Sequence, residues 1–374
     1  MNLDYKAEAE QFLIEKKYTS KGRNWGNDWH SLCSYRGKLK PAIAAELINR
    51  FTEKGEIILD PMGGVGTIPL EANIQGRIGL SNDLSSLAYT VSSAKLNPAS
   101  IRDVLDELDR LNLFIEENKQ LYVNNEEVRN FGLNGKIIEY YHPDTLLEIL
   151  AARDYFRNRP HIPERELVMA CVLHILHGNR PYALSRTSHP LTPYAPKGDY
   201  IYKNLIEHTK SKIKKMYNSK DFFYWNNGKS LNFDMLELPN KLPQKVDTII
   251  TSPPFASSFK FYTQNWLRLW FSGWDPLDFK HAKELYFDEK QNSNMDIYFD
   301  YFEACSKMLK DSGKMILHLG KSKKIDMASE LSLRCQEWFE VVFIGSEDVS
   351  NIESHGIKDK GATSEHQFLF LIKR

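Results

Sequence analysis

The sequence predicts an α/β fold: a doubly wound, mostly parallel sheet with an antiparallel edge strand, interrupted by a mostly helical insertion. Three observations carry this expectation. A strand–glycine loop–helix–strand unit opens the sheet before residue 84, buried strands resume after residue 245, and the stretch between keeps a helical period.

PAIAAELINRFTEK (41–54) reads as a helix. Pro41 suits the first helical position, Gly55 the position just past the end, and Ile43, Leu47, Ile48 and Phe51 share one face. EIILD is a short apolar strand ending at Asp60. PMGGVGT is a glycine-rich turn, IPLEANIQG a helix closed by Gly76, and RIGLSND, ending at Asp83, the second strand. Near residue 98 the texture changes. Ile101, Val104, Leu105, Leu108, Leu111 and Ile115 repeat with a helical period, and 143–157, 163–178 and 201–217 also read as helices. Strand signals return at FFYWNNGK (222–229). VDTIIT (246–251) and KMILHLG (314–320) read as buried strands separated by a helix over about 297–310. FEVVFIG (339–345) and HQFLFLIKR (366–374), joined by a long loop, supply the antiparallel edge. The sheet domain thus comprises 1–97 and 222–374, and the insertion 98–221, with no internal repeat and no low-complexity segment.

With 374 residues, 42% of them hydrophobic and 26% charged, the chain has an ordinary globular composition and enough length for two domains. Lys+Arg and Asp+Glu both total 49, so the global charge points to no polyanionic partner. Cys33, Cys171, Cys305 and Cys335 are widely spaced, which indicates neither a zinc site nor a disulfide framework. The N-terminus is charged and lacks the apolar core of a signal peptide, and no apolar run reaches the roughly 20 residues needed to span a bilayer. These features predict a soluble cytoplasmic protein with no metal and no membrane partner.

Two motifs carry chemistry. In DPMGGVGT (60–67), Gly63, Gly64 and Gly66 permit a tight turn and close approach of a ligand, and the following helix aims its N-terminus there. Asp83 lies 19 residues after Gly64, at the end of the next strand, where a carboxylate accepts from ribose hydroxyls. A nicotinamide dinucleotide is disfavoured: counted from Gly64, the third glycine of its fingerprint is replaced by Pro69. In TSPPF (251–255), two prolines lack the N–H that a strand donates, so the ladder stops there and carbonyls and a flat ring are left for other uses.

DPMGGVGT resembles the cofactor loop of the S-adenosylmethionine-dependent DNA amino-methyltransferases, and TSPPF resembles their catalytic motif. WHSLCSYRGKLKPAIAAELI (29–48) and SNDLSSLAYTVSSAKLNP (81–98) resemble the segments flanking that loop, so the likeness covers roughly 29–98 and 228–320. The resemblance implies a Rossmann-like methyltransferase sheet binding S-adenosylmethionine through Tyr35, Lys38, Asp60, Pro61, Gly63, Gly64, Gly66, Thr67, Asn82 and Asp83. It implies that Ser252, Pro253, Pro254 and Phe255 are catalytic: the Pro253 carbonyl and Ser252 side chain accept the N–H bonds of an exocyclic base amine, and Phe255 stacks on the flipped base. Serine before the prolines resembles the cytosine-N4 enzymes. Adenine-N6 and an RNA base amine are the alternatives, and a catalytically inactive DNA-binding module is a fourth reading. RNA enzymes with a similar motif usually place an RNA-binding domain first, whereas only 28 residues precede the likeness here. The family's acidic contact to the cofactor adenine is replaced at its expected place by Lys229, with Asp234 as a substitute. DNA is the expected partner, with a cognate restriction endonuclease as a second.

Residues 151–220 hold 13 Lys/Arg against 5 Asp/Glu. Arg180, Arg186, Lys212, Lys214 and Lys215 are therefore candidate nucleic-acid contacts. His174 and His177, three apart, lack a matching carboxylate pattern and read as structural. The polar loop 354–371 is a further approach to the target base.

Overall fold

A computed structural model of the chain describes residues 2–22, 25–35, 37–176, 184, 198–225, 228–256, 260–349 and 363–374. Seven strands form one sheet: β1 (Ile57–Asp60), β2 (Ile78–Asn82), β3 (Lys229–Leu231), β4 (Val246–Thr251), β5 (Leu309–Ser322), β6 (Phe339–Asp348) and β7 (Thr363–Lys373). Their order is β3-β2-β1-β4-β5-β7-β6. The first five pair in parallel, and β7 is antiparallel to both of its neighbours. This is the Rossmann-like methyltransferase sheet. The antiparallel strand lies one place in, because β6 takes the outermost position.

The parallel strands are apolar runs because helices cover both faces of the sheet: every residue of β1 is buried, and all but one of β4. Chain order reverses between β1 and β4, and such a switch point opens a crevice at the carboxyl ends of the strands. Register places the motifs there, with Leu59 opposite Ile249 and Asp60 opposite Ser81.

The helices over the sheet and the central stretch follow the sequence pattern closely. Pro41–Phe51 begins at its proline, and Thr67–Ile74 continues the glycine loop. Ile101–Asn118, Pro143–Arg157, Pro163–Leu176 and Leu205–Tyr217 lie between β2 and β3, where the described residues contain no strand. These helices share one apolar core with Trp29, Val91, Trp266 and Trp270, so they are built onto the sheet's own covering layer.

Three features depart from the sequence pattern. FFYW is not a strand, since β3 starts only at Lys229. Phe222 stacks on Trp29 at 5.0 Å and Trp225 meets the same ring edge-on, so these aromatics serve the core and not a ladder. A helix at Asn2–Glu15 places Phe12 against Phe368 and Phe51. Between β4 and β5 lie four short helices, Phe261–Gln264, Trp266–Phe271, Pro276–Leu285 and Phe287–Ser293, before the expected one at Ile297–Met308. No helix among the described residues is long and apolar enough to cross a membrane.

Candidate active site

Asp60 ends β1, buried, and ties the two motifs together. Its Oδ1 accepts from Thr251 Oγ1 at 2.7 Å and from Met62 N at 3.2 Å. The glycine loop then folds back: Gly63 N donates to Asn82 O, and Gly66 N to Gly63 O, each at 2.8 Å. Gly64 and Gly66 have φ of 50° and 72°, a region costly for any residue with a Cβ. A Cβ at Gly63 would collide with Ser81 Oγ. Gly66 caps the helix that Thr67, buried, begins.

Asp83 continues past β2. Its Oδ2 accepts from Gly64 N and its Oδ1 from Ser85 N, both at 2.9 Å. Each carboxylate oxygen keeps capacity for another donor, so ribose hydroxyls fit there. The Tyr35 ring lies over Gly64, where a Cβ would sit 3.5 Å from it, and packs against Phe261 at 5.1 Å. Asn82 is placed differently from the others. Its amide donates to the carbonyls of Pro61 and Phe233 and accepts from Phe233 N, all at 3.1 Å, so it staples the loop to the chain after β3. Lys38 Nζ donates to His30 O at 2.9 Å, and burial holds its pKa down. Lys229 is exposed, while Asp234 lies 3.8 Å from Lys290 and accepts from Leu236 N.

TSPPF leaves β4 directly beside this loop. Gln291 Nε2 donates to Pro254 O at 2.9 Å, and Tyr298 holds the Gln291 amide oxygen at 2.9 Å. Among the described residues nothing donates to the Pro253 carbonyl. Ser252 Oγ lies 3.0 Å from His318 Nδ1. Phe255 packs over Gly320, where a Cβ would strike its ring, and stands 5.5 Å from His318. Gln291, Tyr298 and His318 belong to no motif that the sequence displays. Only the polarity of His318 within an apolar strand could have signalled one of them.

Both motif carboxylates titrate abnormally. Burial pushes Asp60 up to about 7, against the hydrogen bonds from Thr251 and Met62, with the Asp83 charge adding. Burial pushes Asp83 up to about 6, against the N–H groups of Ser85 and Gly64, with Asp288 adding. In the unfolded chain both return to about 4. The folded protein therefore holds these protons more tightly. Their contribution to stability is complete below about pH 4 and is lost as pH rises through about 6 and 7. The cofactor-free protein should lose melting temperature through this window, and Asp60→Asn should remove part of that loss. Unchanged pH dependence in the variant would refute the assignment.

Of the candidate nucleic-acid contacts, Lys214 and Lys215 are exposed on the helix Leu205–Tyr217. Lys212 on the same helix is 7% exposed and donates to Ser31 O at 2.7 Å, so it braces the segment before the cofactor loop instead. Arg180, Arg186, His177 and residues 354–362 of the predicted polar loop lie outside the described residues, and 363–371 are not loop but part of β7. His174 Nδ1 accepts from Ser34 N. No group of three His, Cys, Asp or Glu among the described residues could hold a metal.

No curated protein matches the chain. A family model, UPF0020, RMKL-like, methyltransferase domain, matches residues 29–108, the span containing Tyr35, the glycine loop and Asp83. Residues 29–108 are thus similar to a methyltransferase domain. Similar solved structures include TrmN from Thermus thermophilus, 13% identical, covering 91% of this chain and 50% of that one, with a TM-score of 0.35. Others are the rRNA methyltransferase aviRa from Streptomyces viridochromogenes (10%, 91% and 88%, 0.36) and a TehB-like SAM-dependent methyltransferase from Corynebacterium glutamicum (10%, 88% and 87%, 0.31). The chain thus spans half the length of the Thermus structure.

The family match corrects the DNA amino-methyltransferase reading: the matching model is the RMKL-like domain. The restriction endonuclease expected with the DNA family has no support either. The physical reason is that, in the roles the resemblance gives them, both motifs would address the cofactor and a base amine, and neither role separates DNA from RNA.

Proposed function

We propose that this chain is an S-adenosylmethionine-dependent methyltransferase that acts on an exocyclic base amine in RNA. The observation that carries the amine is the end of β4: a Pro253 carbonyl with no donor among the described residues, beside a Ser252 hydroxyl, held next to the glycine loop by the Asp60–Thr251 bond. RNA is supported by the family match, which sets the DNA family aside, and by the substrate printed in the name of the Streptomyces protein.

Gly63, Gly64, Gly66 and Asp83 would hold the cofactor, with Tyr35 closing over the loop. S-adenosylmethionine supplies an activated methyl group. An exocyclic amine is a poor nucleophile because its lone pair is delocalised into the ring. Pro253 O and Ser252 Oγ accept its two N–H bonds, localise the lone pair and aim it. Phe255 stacks on the unpaired base and fixes its plane.

Tritium transfer from labelled S-adenosylmethionine to total RNA, from cells that do not carry the chain, tests this reading. Label should appear in RNA and vanish on ribonuclease treatment. Label entering only an equal mass of genomic DNA would overturn it. Changing Lys214 and Lys215 to glutamate should weaken RNA binding without altering cofactor affinity. It should also lower the salt slope by about 1 for each phosphate that is no longer neutralised. Filter binding across a salt series checks this, and an unchanged slope would remove both lysines from the interface.

A further inference from the structure

We propose that His318 is a positioning residue of the methyl-transfer site: it fixes the Ser252 hydroxyl as an acceptor and takes over its proton. This rests on the base-amine reading above.

His318 lies on β5, one residue past Leu317, which pairs with Thr251. Its Nδ1 is 3.0 Å from Ser252 Oγ, the ring is 5% exposed, and Nε2 has no partner among the described residues. Phe255, His366 and Phe368 pack around it at 5.5, 4.8 and 5.2 Å. His366, from β7, is the titratable group facing the His318 ring, and among the described residues no carboxylate bonds to His318. The neighbouring positions, Ile316, Leu317 and Leu319, are buried and apolar. A buried imidazole with one unsatisfied nitrogen weakens such a strand, so its presence calls for a reason.

An imidazolium in this place would be a buried charge without an anion. Burial, then His366, holds the His318 pKa well below the ordinary value. The ring is therefore neutral, with one bare nitrogen and one N–H. With Nδ1 bare, Ser252 donates its hydroxyl proton to it. Both Oγ lone pairs are then free to accept from the amine, and the oxygen becomes a stronger base.

The step balances. The amine nitrogen bonds to the methyl carbon as the carbon–sulfur bond breaks, its electron pair leaving with sulfur. The nitrogen then carries one proton too many. That proton passes to Ser252 Oγ while the Ser252 proton passes to His318 Nδ1, so the positive charge that entered the site on sulfur rests on the imidazole, neutral before the reaction, only until the proton is released. After product release the relay runs back and one proton enters solvent through the half-buried serine.

Histidine-labelled protein gives a readout independent of turnover. Nitrogen-15 spectra should show His318 as the Nε2–H tautomer, unprotonated from about pH 5.5 to 8. An Nδ1–H tautomer, or titration within that range, would overturn the proposal. His318→Asn keeps an acceptor near Nδ1 but accepts no proton. Its single-turnover rate on the same total RNA should fall by about 10²-fold and become steeper with pH, with KM for RNA and affinity for S-adenosylhomocysteine retained. Ser252→Ala/His318→Asn should be no slower than Ser252→Ala alone. Wild-type rates in His318→Asn would refute the relay. Equal losses in rate and cofactor affinity would make His318 structural. A wild-type protein that methylates no RNA would instead remove the base-amine reading itself.

Discussion

Replacing Ser252 and Phe255 together by alanine is expected to lower turnover on the order of 10³-fold while S-adenosylhomocysteine affinity stays within about threefold. The two side chains do different work. In the proposed mechanism Ser252 would supply one of the two acceptors that localise the amine lone pair, and Phe255 would fix the plane of the base. Neither belongs to the glycine loop or to Asp83, and the turn survives without them. Gln291 still holds Pro254 O, and Ala256 N still reaches Met327 Sδ at 3.3 Å. Single-turnover rates beside calorimetry separate the two effects. Full activity in the double variant would defeat the catalytic assignment, and a collapse of cofactor binding would make the motif structural.

Gly66→Ala should act on the other half of the site. At a φ of 72°, a residue with a Cβ costs about 1–2 kcal/mol. The new Cβ would also lie 2.9 Å from Ser92 Cβ and 3.3 Å from Ser92 Cα. Ser92 cannot yield freely, because its hydroxyl bonds to Ala88 O at 2.8 Å and to Ser230 Oγ at 2.6 Å, at β3. The strain therefore returns to the loop and rotates the N–H groups at the start of the helix Thr67–Ile74. Cofactor affinity should fall by tenfold or more, since about 1.4 kcal/mol of misalignment suffices. The melting temperature should drop as well. A variant with unchanged affinity and melting temperature would show that this left-handed position is not needed.

Much of this site was legible because each half of it is local in sequence. Asp60, the three glycines and Asp83 fall within one strand–loop–helix–strand unit, where turn chemistry and spacing dictate geometry. TSPPF announces itself through two prolines after an apolar run. The wall opposite was not legible. Asp288 and Gln291 come from the short helix Phe287–Ser293, and no spacing rule ties Gln291 to Pro254 across 37 residues. His318 sits in KMILHLG, where buried residues on both faces erase the alternation that would say which way a side chain points. The basic stretch was legible as charge but not as exposure: Lys212 and Lys214 are two residues apart, and the helical turn sends one into the core and the other to solvent. The choice of nucleic acid was hidden for a chemical reason, since a base amine offers the same two hydrogens in DNA and RNA.

Methylation of an RNA base amine is tested most directly in cells expressing the wild-type chain and cells expressing the Ser252→Ala/Phe255→Ala form. Total RNA and genomic DNA from each would be digested to nucleosides and compared by mass spectrometry, resolving amine-methylated isomers from ring-methylated ones. An amine-methylated nucleoside is expected in RNA, present with the wild type and absent with the variant. An amine mark confined to DNA, or an RNA mark carried on a ring atom, would contradict it.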